Sequence, residues 1–340
     1  MTNKFSDALN FFSKLTLLRT WNAIQILSSY YISKWTKKLY HRGFPISIAI
    51  EPTTSCNLRC PECPSGLRSF TRPTGMLKAD LFTKIIDELH KHLVYLIFYF
   101  QGEPYLHPGF TRLIKYASQK GIYTATSTNA HFLHNENARK TVESGLDRLI
   151  ISIDGTTQET YKEYRIGGSL EKVIEGTKNI VKWKKQLKSK TPYLVFQFLV
   201  VKPNQHQTKE VLSLAKELGV NEVKLKTAQI YDYENGSPLI PTIDKYSRYK
   251  QNNDGTYSIK NKLLNSCWKM WHSCVITWDG QVVPCCFDKD AQHRLGDVKT
   301  DNFSTLWKGE KYDQFRKALL VSRSEIDICR NCSEGTKVWG

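Results

Sequence analysis

The sequence predicts an α/β fold built around a parallel β-sheet, and two observations support this fold class. From residue 46 onward, short apolar runs alternate with longer amphipathic stretches, which is typical of repeated β–α units. Polar motifs follow four of these runs, where the loops of a β/α barrel or an open sheet form the active face. With 340 residues, 40% of them hydrophobic, the chain can bury the core of one large domain and a smaller appendage.

Six apolar runs are predicted strands, and five amphipathic stretches are predicted helices. We expect the strands at 46–50, 94–100, 122–127, 148–153, 193–201 and 222–228. We expect the helices near 80–91, 108–120, 135–144, 169–187 and 206–218. The next stretch, 231–262, is rich in Tyr, Asn, Asp, Ser and Pro and contains turn signals, so we interpret it as a connector.

Residues 5–40 mix apolar and aromatic side chains with basic ones in an amphipathic, helical pattern. Lys14 and Arg19 interrupt the apolar run before it reaches the ~20 residues that a membrane span needs, so we predict no span. One interpretation is a helix packed on the domain, and the other is peripheral attachment to a membrane. No signal-peptide cleavage site follows, so we expect a cytoplasmic protein, with contact at the inner face of the membrane as the alternative.

The net charge of +17 is compatible with nucleic acid, anionic lipid or an acidic substrate as a partner. The basic residues are scattered over the predicted helices, as in the lysines between 182 and 190, and no arginine-rich tract occurs. We therefore expect no nucleic-acid partner.

Three cysteines lie close together as Cys56, Cys60 and Cys63, with C-x3-C-x2-C spacing. A structural zinc site or an ordinary four-iron cluster needs four protein ligands. A local set of three thiols therefore indicates a metal centre with one position left for a substrate or cofactor. The odd total of nine cysteines and the missing signal peptide favour metal-bound thiolates over a disulfide framework.

The other six cysteines form a second group near the C-terminus, which indicates a second metal site. They are Cys267, Cys274, Cys285, Cys286, Cys329 and Cys332. Residues 275–284 predict a β-hairpin with an Asp-Gly turn, and the last two cysteines form a C-x2-C pair. An iron–sulfur site is favoured and zinc is the alternative. Six thiols exceed the four that one cluster uses, and Cys274 and Cys286 are candidates for free cysteines.

Together these motifs resemble the radical S-adenosylmethionine superfamily, whose C-x3-C-x2-C loop follows the first strand of a partial six-stranded β/α barrel. The resemblance covers residues 44–340. It implies that Cys56, Cys60 and Cys63 bind three irons of a [4Fe-4S] cluster, and that the amino and carboxylate groups of S-adenosylmethionine bind the fourth. The implied fold is a partial (β/α)6, TIM-like barrel with a small cysteine-rich C-terminal subdomain.

The C-terminal unit resembles the SPASM/twitch extensions of that superfamily, because Cys267, Gly280 and Cys285 fit the opening motif. No cysteine follows Cys332, so the shorter twitch form with one auxiliary [4Fe-4S] cluster is the better match. The resemblance implies Cys267, Cys285, Cys329 and Cys332 as its ligands.

The polar motifs at the strand ends match the cofactor-binding motifs of the superfamily. The implied contacts with S-adenosylmethionine are Gln101, Gly102, Glu103, Ser127, Asn129, Ser152, Asp154 and Arg165. Glu103 would receive the amino group, and Arg165 offers two parallel donors to a carboxylate. Two positions depart from the pattern: Glu62 replaces an aromatic residue near the adenine, and Gln101 replaces a glycine. Asp154 is also a candidate for a turn residue.

The predicted organisation is a basic helical segment at 1–43, a barrel at 44–230, a connector at 231–262 and a twitch/SPASM-like unit at 263–340. The resemblance implies cleavage of S-adenosylmethionine to a 5′-deoxyadenosyl radical that removes a substrate hydrogen atom. The auxiliary cluster would take an electron or orient the substrate.

The substrate class stays open between a peptide and a small alcohol or carbohydrate, and the implied electron donor is a protein such as flavodoxin or ferredoxin. No catalytic acid or base is assigned, although Gln197 and Lys224 or Lys226 are candidates to face the barrel centre. The alternatives are a nucleic-acid-modifying radical enzyme and a non-catalytic zinc or iron–sulfur scaffold.

Overall fold

The computed structural model describes residues 4–335, and two helices precede its sheet. They are α1 (Lys4–Phe12) and α2 (Leu17–Thr36). The Thr16 hydroxyl accepts a hydrogen bond from the Arg19 N–H (3.2 Å), which satisfies a backbone donor in the first turn of α2. The helix ends at Thr36, and the capping residue Lys37 has a left-handed backbone and donates its N–H to the Ser33 carbonyl. The amphipathic segment is therefore helical, as its pattern predicts.

Six parallel strands alternate with helices, which confirms the predicted fold class. The strands are β1 (Ser47–Ile50), β2 (Tyr95–Ile97), β3 (Tyr123–Thr128), β4 (Arg148–Ser152), β5 (Tyr193–Val200) and β6 (Glu222–Thr227). The helices among them are α3 (Pro64–Leu67), α4 (Ala79–Leu89), α5 (Phe110–Gln119), α6 (Asn135–Glu143), α7 (Gln158–Tyr164), α8 (Leu170–Gln186) and α9 (Thr208–Glu217). Each strand overlaps its predicted run.

The C-terminal third extends this sheet. A hairpin of β7 (Tyr249–Gln251) and β8 (Tyr257–Ile259) lies in the connector. It is followed by α10 (Trp268–His272), β9 (Ser273–Ile276), β10 (Gln281–Val283), β11 (Gly296–Asp297), α11 (Phe303–Trp307), α12 (Glu310–Ser322) and α13 (Asp327–Arg330). Short 3₁₀ helices lie at Pro104–Leu106, Lys202–Gln207, Asp244–Tyr246 and Arg323–Glu325.

The predicted hairpin at 275–284 is present as β9 and β10, and β9 also pairs in parallel with β1. The strand order is therefore β11-β10-β9-β1-β2-β3-β4-β5-β6. Within the described residues, β6 pairs only with β5 and forms the open edge. The second cysteine group thus lies on an extension of the sheet that carries the first.

Helix α1 covers the end of the sheet at which the strands begin. Phe11 packs against the rings of Tyr95 and Tyr123, the first residues of β2 and β3. Asp7 is buried, accepts a hydrogen bond from the Tyr123 hydroxyl (2.5 Å), and forms an ion pair with Arg148, the first residue of β4. Because cysteines follow β1, the first thiol group lies at the opposite end of the sheet.

A buried ion pair joins the first strand to the C-terminal hairpin. Arg72 donates from its two terminal nitrogens to both oxygens of Glu51, which directly follows β1 (2.8 and 2.6 Å). The backbone N–H of Trp278, in the turn between β9 and β10, also donates to Glu51 (3.2 Å). A Cβ on Gly75 would lie 2.6 Å from the Trp278 ring, so this glycine permits the close contact. These contacts hold the two cysteine-bearing parts of the chain in one arrangement.

We predict that Arg72→Met lowers the free energy of unfolding by ~3–5 kcal/mol, because it leaves the Glu51 carboxylate buried without its partner. The matched control is Arg139→Met, which removes an exposed pair with Glu143 on α6. That control should change stability by less than ~1 kcal/mol. Denaturant unfolding followed by circular dichroism measures both, and equal effects of the two variants would contradict the assigned role of the buried pair.

Candidate functional site

The first thiol group lies in the loop between β1 and α3. Cys60 is buried and Cys56 and Cys63 are partly buried, and the three thiols act on one another electrostatically. Burial raises the pKa of Cys56 to about 11 and also raises that of Cys60. Because burial disfavours the thiolates of Cys56 and Cys60, a bound metal centre is what would hold these two sulfurs deprotonated.

The loop after β2 is fitted tightly against this cysteine loop. The Glu103 N–H donates to the Ser55 carbonyl (2.7 Å), and the Gly102 N–H donates to the Ser65 hydroxyl (2.9 Å). Gly102 has a φ of +74°, and a Cβ there would lie 2.3 Å from the Thr53 carbonyl oxygen. Only glycine fits this position, because it tolerates both the left-handed backbone and the close approach.

The carboxylate of Glu103 lies at the centre of the strand-end loops. It is 2% exposed and accepts three hydrogen bonds, from the Asn129 N–H (2.8 Å), the Thr128 hydroxyl (2.7 Å) and the Tyr105 N–H (3.2 Å). Burial raises its pKa to about 6, although these donors oppose the shift. An ionised carboxylate has about four acceptor sites, so one remains for a further donor such as an amino group.

The predicted residues of β3 and β4 meet at the same end of the sheet. Asn129 donates from its side chain to the side chain of Asn57 (2.8 Å), which lies within the cysteine loop. The hydroxyl oxygens of Ser127 and Ser152 are 3.5 Å apart. The structure therefore brings hydroxyl and amide groups from two strands to the end of the sheet at which the cysteine loop lies.

Arg165 lies against the first thiol group and is held there by Asp154. Its Nε donates to the Asp154 carboxylate (2.5 Å), and its Nη1 donates to the Cys60 sulfur (3.6 Å). Asp154 is fully buried and also accepts from the Leu199 N–H (2.7 Å). The geometry places Asp154 behind the guanidinium, where it orients Arg165, and Arg165 keeps further N–H donors for an anionic group.

The two departures from the superfamily pattern have different surroundings. Glu62, in place of an aromatic residue, accepts a hydrogen bond from the Tyr231 N–H (2.9 Å) in the segment that follows β6. Gln101 lies beside the first thiol group, where its side-chain oxygen accepts from the Cys63 thiol at 3.8 Å. Glu62 is therefore bonded to a neighbouring loop. With Gln101 in place of glycine, the backbone of the loop after β2 still bonds to the cysteine loop through Gly102 and Glu103.

The second thiol group brings together the four predicted auxiliary ligands. Cys285 interacts electrostatically with Cys267 and Cys332, and Cys329 interacts with the same two thiols. Burial raises the pKa of Cys329 to about 12 and also raises that of Cys332. As in the first group, an all-sulfur donor set of buried thiols fits an iron–sulfur cluster that would hold them as thiolates.

The two cysteines left unassigned by sequence differ in their positions. Cys286 is exposed and lies beside Cys285, and its sulfur accepts from the Lys269 ammonium at 3.7 Å. Cys274 is buried in the hydrophobic core on β9, where burial raises its pKa to about 12. Cys274 is therefore a core residue, whereas Cys286 belongs to the second thiol group.

Zinc is the alternative for the second thiol group. A structural zinc ion needs four ligands at about 2–2.3 Å from one point. Among the residues that the structure describes, no three His, Cys, Asp or Glu side chains form a group that could hold a metal ion.

Four residues near the thiols were missed in the sequence. Arg323 donates to the Cys332 sulfur (3.2 Å), and Lys269 lies beside Cys286. Tyr99, two residues after β2, interacts electrostatically with both Cys286 and Lys269. Burial raises the pKa of Tyr99 to about 12. For Arg323 and Lys269, the only signal in the sequence was that a basic residue lies near a cysteine motif. For Tyr99 the sequence contained no signal.

Lys289 is the fourth missed residue, and it connects the two thiol groups. Its ammonium interacts electrostatically with Cys63 of the first group and Cys286 of the second, and burial lowers its pKa. It also donates to the Tyr231 hydroxyl (2.9 Å). The half-buried ammonium of Lys289 therefore lies within electrostatic range of both thiol groups.

The strand register brings polar side chains to one face of the sheet. Ser152 pairs with Gln197, and Gln197 pairs with Lys224, so these three side chains share a face. Since Ser152 approaches Ser127 on that face, Gln197 and Lys224 lie on the same side as the predicted cofactor contacts. Burial lowers the pKa of Lys224.

Two family models match the chain. The model of the radical SAM superfamily matches residues 50–196, and the model of an iron–sulfur cluster-binding domain, SPASM, matches residues 267–333. The first range contains the first thiol group and all strand-end motifs. The second range contains all six cysteines of the second thiol group.

Curated relatives and solved structures agree with these matches. A tungsten-containing aldehyde ferredoxin oxidoreductase cofactor-modifying protein of Pyrococcus furiosus is 27% identical over 319 residues, 84% of this chain and 86% of the relative. A PqqA peptide cyclase of Bradyrhizobium diazoefficiens is 26% identical over 206 residues, 59% of this chain and 52% of the relative, so the match spans about half of that relative.

Among solved structures, Streptococcus suis SuiB bound to S-adenosylmethionine has a TM-score of 0.63 at 13% identity, covering 91% of this chain and 76% of SuiB. The anSMEcpe structure with bound AdoMet has a TM-score of 0.61 at 18% identity, covering 85% of each chain. At these identities the likeness is one of fold.

We predict that Gly102→Ala weakens S-adenosylmethionine binding by about tenfold or more, because the added Cβ displaces the loop that carries Glu103. The control is Gly255→Ala, which has the same kind of positive φ (+87°) but no atom within 4 Å of the added Cβ. Isothermal titration of the reconstituted proteins measures both. Unchanged binding by Gly102→Ala, or equal losses in the two variants, would contradict the close fit of the two loops.

Proposed function

The chain belongs to the radical S-adenosylmethionine superfamily and carries an iron–sulfur SPASM domain at its C-terminal end, and on this basis we propose that it removes a hydrogen atom from a peptide substrate. One observation carries the proposed chemistry. The first thiol group, the buried carboxylate of Glu103 and the guanidinium of Arg165 act on one another at one end of the sheet. This set supplies thiolates for iron, an acceptor for an amino group and a donor for a carboxylate.

Under this proposal Cys56, Cys60 and Cys63 bind the cluster that also binds S-adenosylmethionine. With one electron from a protein donor, this pair would supply a 5′-deoxyadenosyl radical by breaking the sulfur–carbon bond of the cofactor and releasing methionine, and the radical would take the substrate hydrogen atom. Glu103 accepts the amino group of the cofactor, and Arg165 binds its carboxylate. Asp154 keeps Arg165 in place, as its 2.5 Å hydrogen bond indicates.

The ribose would be bound by residues of the next strand ends, Ser127, Asn129 and Ser152. Asn129 is well suited to this task because its amide is already oriented by Asn57 of the cysteine loop (2.8 Å). Gln101 and Gly102 contribute backbone groups, held by the contact with Ser65. In this arrangement the protein orients the cofactor through several short loops whose positions are mutually dependent.

The second thiol group would bind one auxiliary [4Fe-4S] cluster through Cys267, Cys285, Cys329 and Cys332. Arg323 and Lys269 place positive charge beside these sulfurs, which offsets the negative charge of thiolates. The auxiliary cluster would either take an electron from the substrate or orient the substrate. Lys289, which interacts with both thiol groups, marks the space in which a substrate would lie between them.

Two features favour a peptide over a small alcohol or carbohydrate. Strand β6 is the open edge of the sheet, and an extended peptide can add to such an edge through backbone hydrogen bonds. Among the curated relatives, two are named PqqA peptide cyclase. Because Lys224 and Lys226 lie on that edge strand and the half-buried Lys289 is bonded to Tyr231 in the segment after it, we propose that the peptide is acidic.

The raised pKa of Glu103 leads to a pH prediction for cofactor binding. Burial raises this pKa from 4.5 to about 6, so the carboxylate form is present above that pH and is lost as the pH falls through it. Protonation places a hydrogen on the carboxyl group and removes an acceptor site that the N–H donors of the amino group need. We therefore expect the affinity for S-adenosylmethionine to fall by up to about tenfold per pH unit below about pH 6.

Equilibrium binding measured between about pH 5 and pH 8 tests this expectation. Glu103→Gln should bind S-adenosylmethionine weakly at every pH in that range and lose the pH dependence. The exposed control Glu143→Gln should keep both the affinity and the pH dependence of the unmodified protein. A Glu103→Gln variant with the original pH profile would show that another group titrates.

The peptide proposal predicts that short acidic peptides stimulate 5′-deoxyadenosine formation by the anaerobically reconstituted, dithionite-reduced protein. Deuterium on the modified side chain should appear in the nucleoside. Lys224→Glu with Lys226→Glu should raise the peptide concentration needed for half-maximal stimulation by about tenfold or more. Lys245→Glu with Lys250→Glu, in the connector, should leave it unchanged.

Small alcohols and sugars serve as the competing substrates in the same assay. Stimulation and deuterium transfer from these compounds, but not from peptides, would reject the peptide substrate while leaving the superfamily chemistry intact. This outcome has a precedent among the relatives, since the Pyrococcus furiosus protein is named for modifying a cofactor. Equal effects of the two lysine variants would reject the edge strand as the peptide site.

A further inference from the structure

The two N-terminal helices carry a row of apolar side chains that nothing in the described structure covers. We call this row the outer face, and its members are Phe5, Leu9 and Phe12 on α1 and Leu17, Leu18, Trp21, Ile24, Ile32 and Trp35 on α2. Leu17 is 93% exposed, Trp35 75% and Trp21 59%. The intervals of three and four residues place these side chains along one side of each helix.

The opposite side of α2 is fixed to the domain, so the outer face cannot turn inward. Arg19 is buried and donates to the carbonyls of Lys14, His90, Lys120 and Gly121. Further along the helix, Tyr30 is fully buried against the rings of Trp268 and Trp271. The exposed apolar row is therefore a stable feature of the fold.

The surroundings of the outer face are basic. No Asp or Glu occurs between residues 8 and 50, and Lys37, Lys38 and Arg42 at the end of α2 are exposed. Asp7, the one acidic residue of α1, is buried in its ion pair with Arg148. Pairing of two copies through this face would bring like charges together, whereas anionic lipid headgroups complement them.

Length and composition also distinguish lying on a bilayer from crossing it. No helix among residues 4–335 is long and apolar enough to span a membrane. Exposed Trp and Phe side chains with flanking lysines are typical of helices that lie in the membrane interface. We propose that α1 and α2 form a docking surface for an anionic lipid bilayer, with the outer face inserted among the acyl chains.

This docking surface has a defined orientation relative to the first thiol group. Helix α1 packs on the first residues of β2, β3 and β4, and Arg19 binds the loops that precede β2 and β3. Both helices therefore lie at the end of the sheet where the strands begin, opposite the first thiol group. On a membrane, the cofactor site faces away from the lipid and stays accessible to substrate from the aqueous phase.

Cosedimentation of the reconstituted full chain with lipid vesicles tests the proposal. The expected result is binding to vesicles of phosphatidylcholine with phosphatidylglycerol, weak binding to phosphatidylcholine alone, and release by high salt. Trp21→Ser with Trp35→Ser should lower the partition coefficient by about tenfold or more. Lys37→Glu with Lys38→Glu should have an effect of similar size.

Matched control variants test whether the loss of vesicle binding is specific to the docking surface, because they replace exposed apolar and basic side chains elsewhere. Leu212→Ser with Val321→Ser removes apolar side chains that are 52% and 75% exposed elsewhere, and Lys311→Glu with Lys317→Glu reverses charges on α12. These controls should bind vesicles like the unmodified protein. All variants should keep their iron content and their cleavage of S-adenosylmethionine, because every substituted side chain is exposed and none is a cysteine or a residue bonded to one.

Three results would overturn the proposal. The first is no binding to the anionic vesicles at low salt, and the second is equal losses in the test and control variants. The third is a dimer, detected by analytical ultracentrifugation, that forms without vesicle binding and disappears in Trp21→Ser with Trp35→Ser. That last result would assign the outer face to self-association.

Discussion

The buried carboxylate of Glu103 holds together the loops on which the site depends. It accepts hydrogen bonds from Thr128 and Asn129 after β3, while its own backbone is bonded to Ser55 in the cysteine loop after β1. Burying this charge is costly, and its three donors make the burial tolerable. The same group that orders the loops is thus positioned, with one acceptor site free, to accept a hydrogen bond from an amino group.

A second constraint joins the two thiol groups into one unit. Strand β9 pairs with β1, and the Glu51–Arg72 ion pair is bonded to Trp278 in the hairpin that leads to Cys285. Movement of the C-terminal unit would therefore disturb the strand that precedes the first thiol group. This coupling suits a reaction in which a reactive intermediate must be generated next to a substrate held at a fixed position.

Local patterns predicted most of the fold and the core of the site. The alternation of apolar runs located all six barrel strands, and cysteine spacing separated the two thiol groups before any contact was known. The sequence contained no comparable signal for contacts between distant segments. The pairing of β9 with β1, the partner of Glu51 and the meeting of Tyr99 with Lys269 depend on how the chain folds back. The helical character of residues 5–40 was predictable, but the packing of α1 on the strand beginnings was not.

Electron paramagnetic resonance of the reduced, reconstituted protein, with and without S-adenosylmethionine, tests the central claim most directly. The account predicts signals from two [4Fe-4S] clusters, of which S-adenosylmethionine changes only one. The signal that changes should be absent from Cys56→Ala/Cys60→Ala/Cys63→Ala and retained in Cys329→Ala/Cys332→Ala. A spectrum that S-adenosylmethionine leaves unchanged, or a responsive signal that survives loss of the first thiol group, would contradict the assignment of the two sites.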